Sequence, residues 1–292
     1  LIMKKIISML LLAAVLATSL AGCGSTLKGD EKGAIVNVYI GNEISDYDPA
    51  LAYTDDSAVK VLGLIYEGLT RINDKGKVEN AMMKSYKIIE KPDKNEYKME
   101  ITIKDSKWSD GRAVSADDFV YAWKRILNPD FTCSAAALLF DIKNARDVKN
   151  GDNSVDDLGV AAVDNTVIEV QFEQKIDYDR FLENLACLAL VPLREDIVTR
   201  YEKEMGSFGK AVTSLCTNGP FAIKDLKAGK VLQLDRNVYY YRDTENDALD
   251  KYVLPYRLLV DFSKNEDEQT TDYENGNIFY LGEIGLSKRS SY

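Results

Sequence analysis

The sequence predicts a mixed chain of the α/β or α+β class, and three observations carry that prediction. Tyr97, Met99, Ile101 and Ile103 alternate with Lys98, Glu100 and Thr102, the period of a half-buried strand. Phe119, Trp123 and Ile126 recur at helical spacing behind a Ser115-Ala116-Asp117-Asp118 start. Strand-type and helix-type segments then alternate along the chain with no fixed repeat, no heptads and no low-complexity block. With 292 residues, 46% of them hydrophobic, there is material for one large domain or two smaller ones.

Taken in order, the chain opens with Lys4-Lys5 and an apolar stretch from Ile6 to Leu20. That stretch is too short for a bilayer span, and the following Ala21-Gly22-Cys23 gives it the form of a bacterial lipoprotein signal, residues 1–22, with Cys23 as the lipidated residue. Residues 23–34 are small, polar and glycine-rich, a flexible tether. Ile35 to Ile40 reads as the first strand, closed by Gly41-Asn42. Ser57 to Leu69 reads as a helix capped by Ser57, with the stripe Val61, Leu62, Ile65 and Leu69 and Gly68 as terminator.

After the Tyr97–Ile103 strand, Ser109-Asp110-Gly111 marks a turn. Ser115 then caps a helix whose first-turn aspartates suit the dipole and whose end is set by Asn128-Pro129. Trp108 and Trp123 read as core or hinge packing rather than ligand platforms. Val167 to Phe172 is a second alternating strand, and Tyr178 to Leu190 has helical spacing through Phe181, Leu182, Leu185 and Leu188. Phe221-Ala222-Ile223 and Val231 to Leu234 bracket a hairpin turn at Lys227-Ala228-Gly229-Lys230. The cluster Tyr239-Tyr240-Tyr241 fits strand packing better than ligand contact. Arg257 to Phe262 reads as a buried strand, and Asp267 to Glu274 as a polar helix ending at Asn275-Gly276.

Composition removes several chemistries. Net charge is −10, and −12 once residues 1–22 with Lys4 and Lys5 are removed; with no basic block, nucleic acid is disfavoured as a partner. Histidine is absent, which takes away the commonest general base, metal ligand and nucleophile-activating partner together. There is no CxxC pair for zinc, and beyond Cys23 the widely spaced Cys133, Cys187 and Cys216 fit three buried free thiols better than a bridge plus one. No GxGxxG is present, and Gly206 to Ala211 lacks the spacing and hydroxyl of a phosphate loop. Catalysis by a carboxylate pair stays open among 47 acidic residues, though abundance alone is no signal.

Several motifs, in sequence order, carry a resemblance. Asp48-Pro49-Ala50, Tyr66-Glu67-Gly68-Leu69, Lys107 to Gly111, Ala116 to Trp123, and Thr217-Asn218-Gly219-Pro220-Phe221 followed by Leu234, Asn237 and Tyr240 resemble the extracellular solute-binding proteins of peptide importers, family 5. The resemblance implies an α/β, periplasmic-binding-protein-like bilobal receptor of type II and the peptide-binding class. Residues 35–66 would begin lobe I, residues 67–190 would form a small extra domain, and residues 191–292 would return to lobe I, ending before lobe II. It also implies a non-enzymatic receptor that captures oligopeptides or dipeptides as an added strand and delivers them to an ABC permease and its ATPase, with no cofactor and no metal. The chain would be exported and held by lipid on the outer face of the cytoplasmic membrane, or in the periplasm of a two-membrane bacterium.

By the same resemblance Tyr53, Thr54, Asp55 and Asp56 lie on one strand contact with the peptide, and Asn218 and Gly219 sit near the cleft. Turn chemistry alone would also place Asp48-Pro49 and Asn218-Gly219. Two departures stand out: a tyrosine contact implied near Ala135 is missing from Phe131 to Ala136, and the chain stops before the second lobe. The expectation is therefore an amino-terminal half, as a fragment or a truncated product, with weak peptide affinity on its own. Relatives of the fold carry peptides, nickel complexes or some sugars, so the ligand stays open. A surface lipoprotein with a chaperone or signalling role is the alternative, and a carboxylate-pair hydrolase a remoter one.

Overall fold

A computed structural model describes residues 33–241 and 253–292. Cys23 and the tether lie outside these residues, apart from its last two positions. Among the described residues no helix is long and apolar enough to cross a membrane.

The described residues begin with strand β1 (Ile35–Tyr39), a one-turn helix α1 (Pro49–Ala52) and helix α2 (Asp56–Ile65). A short hairpin, β2 (Thr70–Ile72) and β3 (Val78–Asn80), leads into β4 (Met83–Lys91) and β5 (Glu96–Ile103). Helices α3 (Ala116–Leu127) and α4 (Ala145–Asn150) precede β6 (Val160–Asp164) and β7 (Val167–Phe172). Helices α5 (Tyr178–Asn184) and α6 (Glu195–Met205) lead to β8 (Phe221–Lys227), β9 (Val231–Arg236) and β10 (Arg257–Asp261). Helix α7 (Glu266–Glu274) and β11 (Tyr280–Leu281) follow.

These strands form two principal sheets. One has the order β11-β1-β10-β9-β8, with β1 parallel to both its neighbours and the β10-β9-β8 meander antiparallel. The other, β4-β5-β7-β6, is antiparallel throughout. Alternation decides its faces: Met99, Ile101, Ile168 and Val170 are buried under α3, whose own inward residues are Phe119, Trp123 and Ile126. On the opposite face Lys98 pairs with Glu169 at 3.2 Å. Both tryptophans are wholly buried, and the Trp123 indole N–H donates to the carbonyl of Leu190 at 3.0 Å.

Several sequence-based boundaries move, each because of a contact distant in sequence. Helix α2 is capped by Asp55, not Ser57, and stops at Ile65, not Leu69; Asn218 captures the backbone of Glu67 and draws it out of the helix. The helix expected over Tyr178–Leu190 breaks after Asn184, whose amide donates to the carbonyl of Leu138, and resumes as a 3₁₀ turn at Leu188–Leu190. Tyr239 and Tyr240 lie beyond the end of β9 in a turn held by Asn237, whose amide donates to Gly219 O and whose carbonyl oxygen accepts from Tyr239 N–H. Strand β10 is buried on one face only, through Leu258 and Val260. The three thiols are free, but only Cys133 is buried; Cys187 and Cys216 are half-buried.

Candidate functional site

Residues Tyr53 to Asp56 form the corner between α1 and α2. The corner starts from Asp48, which caps α1 by accepting Ala50 N–H at 2.9 Å. Asp48 is wholly buried and its carboxylate meets the Arg125 guanidinium of α3 in a two-point contact, at 2.6 and 3.3 Å. Burial pushes the Asp48 carboxyl up and Arg125 opposes it. Burial also works against the charge on Arg125, but Asp48 and then Glu202 outweigh it and raise its pKa. Phe131 lies with its ring centroid 4.0 Å from the same guanidinium, so the pair is sealed on its aromatic side.

The other end of α1 is gripped by two consecutive residues. Cys133 Sγ donates to Ala50 O at 3.1 Å, and the Ser134 hydroxyl is hydrogen-bonded to the Tyr53 hydroxyl. Burial pushes the Cys133 thiol up, so it stays protonated as this donor. Asp55 N–H closes a turn onto Ala52 O at 3.0 Å, while its carboxylate accepts Ser57 N–H and Ala58 N–H at 2.9 and 2.7 Å to start α2. Thr54 is left at the tip of this turn. It is exposed, and neither its N–H nor its C=O makes a hydrogen bond within the described residues. Asp56 is exposed beside it.

Asn218 and Gly219 are not brought to that corner. They sit at the far end of α2, whose ten residues span about 15 Å. Asn218 is wholly buried, with its carbonyl oxygen accepting Glu67 N–H at 3.1 Å and its amide donating to Glu67 O at 2.9 Å. Gly219 N–H donates to Ile65 O at 2.8 Å, and the backbone of Ile65 and Tyr66 crowds the place a Cβ would take. The pair is a clasp on the crossover rather than an open contact surface. Glu67 itself is nearly buried and receives the Tyr240 and Tyr241 hydroxyls and an Arg71 guanidinium nitrogen at 3.3 Å; burial raises its pKa despite them.

Arg125, Ser134 and Glu67 are structural partners that the sequence does not flag as a group. Arg125 lies off the apolar stripe of α3 and 77 residues from Asp48, and Ser134 lies 81 from Tyr53, so neither pairing leaves a periodic trace. A cavity of about 860 Å³ lies elsewhere, at the carboxyl ends of β1 and β10, lined by Tyr39, Glu43, Lys264 and Asp267 among others. A notch of about 140 Å³ between Ile44, Leu51, Ala52 and Asp55 adjoins the Thr54 corner. Among the described residues no group of three or more acidic or sulfur ligands is placed to hold a metal.

The profile of the family described as bacterial extracellular solute-binding proteins, family 5 Middle, matches residues 77–289. The oligopeptide-binding protein OppA of Bacillus subtilis is 33% identical over 248 residues, covering 82% of this chain and 44% of that protein. A dipeptide-binding protein of Lactococcus lactis is 31% identical over 242 residues, with 81% and 42% covered. The crystal structure of the substrate-binding domain of an oligopeptide ABC transporter from Bacillus anthracis superposes with a TM-score of 0.69 at 30% identity, covering 85% of this chain and 45% of that one. The chain thus spans a little under half the length of the relatives it matches, and over that span it has the α/β fold of the periplasmic peptide-binding class. It belongs to the family 5 bacterial extracellular solute-binding proteins.

Proposed function

We propose that this chain carries the first-lobe surface of an exported receptor that captures oligopeptides or dipeptides and hands them to an ABC permease and its ATPase. In this reading residues 35–66 and 191–292 build the lobe around the five-stranded sheet, residues 67–190 add the small domain around the four-stranded one, and Cys23 bears the lipid anchor. Two relatives named for dipeptide and oligopeptide binding support the ligand class. The observation that carries the reading is Thr54. One exposed residue offering both an unpaired N–H and an unpaired C=O is what an extended peptide pairs with when it adds as a strand, so affinity comes from main chain and tolerates many side chains. Tyr53, Asp55 and Asp56 frame that residue, and Asn218 and Gly219 serve it indirectly by fixing the far end of α2.

The test is retention of peptides of two to six residues by the full protein, read by mass spectrometry, followed by calorimetry with the tightest peptide recovered. Methylating its backbone nitrogens one at a time should cost at least tenfold in affinity at one position, while side-chain changes there cost little. No retained peptide of any length would overturn the receptor reading, and uniform tolerance of N-methylation would overturn pairing at Thr54. A Cys23→Ser substitution should release the protein from the membrane into the medium or periplasm.

A further inference from the structure

We propose that Ser134 is a positioning residue of the peptide site, holding the Tyr53 hydroxyl so that the Thr54 backbone stays aimed for pairing; the proposal rests on the peptide-receptor reading. Helix α1 has four residues, too few to persist without outside support. Besides the Asp48–Arg125 pair at its N-cap, it is held by side chains of one neighbouring strip: Cys133 Sγ on Ala50 O at 3.1 Å, and Ser134 Oγ on the Tyr53 hydroxyl. Those two residues open the 3₁₀ turn Ser134–Leu139. The division of labour follows from burial. Cys133 is buried and packs the base of the corner, whereas Ser134 is exposed and Tyr53 half-buried, so their bond adds little to global stability.

Tyr53 is the C-cap of α1, with φ of −64° and ψ of −12°, and it immediately precedes Thr54. A change in its ψ would swing the Thr54 N–H away from an incoming strand. Pinning the phenol restricts the Tyr53 side chain and, through it, the backbone that follows, before the ligand arrives. A corner ordered in advance spares the binding step that loss of freedom. The pair also leaves one hydroxyl hydrogen uncommitted at the rim of the corner, a donor available to a peptide carbonyl.

The experiment measures affinity in the full protein for the tightest peptide recovered from the two-to-six-residue library. Ser134→Ala and Tyr53→Phe should each weaken binding about threefold to tenfold, the range of one lost hydrogen bond. The double variant should be no weaker than either single one, and Ser134→Thr should restore affinity, with melting temperatures unchanged throughout. If wild-type protein binds the peptide and Ser134→Ala binds it equally well, the positioning role is wrong and the receptor reading stands. Additive losses, or a melting temperature that falls in step with affinity, would equally overturn it. If wild-type protein retains no peptide, the receptor reading fails and this proposal with it.

Discussion

Arg125 and Asp48, 77 residues apart, meet at 2.6 Å where the carboxylate has no solvent contact and the guanidinium almost none. The pair joins α3, which packs on the four-stranded sheet, to the cap of α1, and so sets where the Thr54 corner stands. Truncating one partner of a buried pair leaves the other charge without compensation. Arg125→Ala should therefore cost about 3–5 kcal/mol of stability, measured as a lower urea midpoint with an unchanged slope. Asp48→Ala should cost less, because Glu202 still pairs with Arg125.

Two glycines near the end of α2, Gly63 within it and Gly219 packed against it, should respond with opposite signs. A Cβ on Gly219 would lie 2.5 Å from the carbonyl carbon of Ile65 and 2.6 Å from the nitrogen of Tyr66, both backbone atoms that cannot swing aside. Gly219→Ala should destabilise by about 1–3 kcal/mol. Gly63 lies within α2 with nothing within 4 Å of such a Cβ, so Gly63→Ala should stabilise by about 0.5–1 kcal/mol. Thermal melts of the two variants beside the parent check both signs.

Helix α2 gives a sharper test of its own start. Asp55 holds Ser57 N–H and Ala58 N–H, whereas Asp56 is an exposed first-turn acid with no such bond. Asp55→Ala should cost about 1 kcal/mol and Asp56→Ala only a few tenths. Equal losses from the two substitutions, compared by denaturant unfolding, would move the cap away from Asp55.

The acid side of the stability profile should depend on Asp196. Hydrogen bonding to Arg194 holds its carboxyl below the usual range, with Arg112 assisting. A carboxyl whose pKa is lower in the folded chain stabilises it above the unfolded pKa of about 3.9, and that contribution disappears as pH falls through the folded value. The stability difference between the parent and Asp196→Asn should be constant from pH 5 to 7 and shrink below about pH 4. Glu67, raised by burial, contributes with the opposite sign, so only the difference between variants isolates Asp196. Urea midpoints from pH 2 to 7 provide the measurement.

The elements legible in the sequence were those written in local patterns. The alternation from Tyr97 to Ile103 became β5, the stripe behind Ser115 became α3, and the glycine at 229 turned the β8-β9 hairpin with φ of +66°. Boundaries failed where a distant partner competed. Glu67 left its helix because Asn218 offered both a donor and an acceptor, and Tyr239 to Tyr241 left the strand pattern because Asn237 built a turn and Glu67 took two phenols. The site shows the same divide. Tyr53 to Asp56 could be pointed to by resemblance, but that Thr54 is exposed with no backbone hydrogen bond, between a Tyr53 hydroxyl held by Ser134 and an Asp55 engaged through backbone and carboxylate, is visible only in the folded chain.

By itself, the sequence determined a mixed α/β chain, the absence of histidine, and membership motifs strung from Asp48 to Tyr240. These are properties of composition, short-range period and linear order, which need no partner to exist. Tertiary structure decided the rest: that Asp48 is buried against Arg125, that Asn218 clasps a crossover instead of facing outward, and that Ser134 reaches Tyr53. Burial and pairing are set by which segments the fold brings together, and a carboxylate or an amide acquires its role only from the group placed within about 3 Å of it.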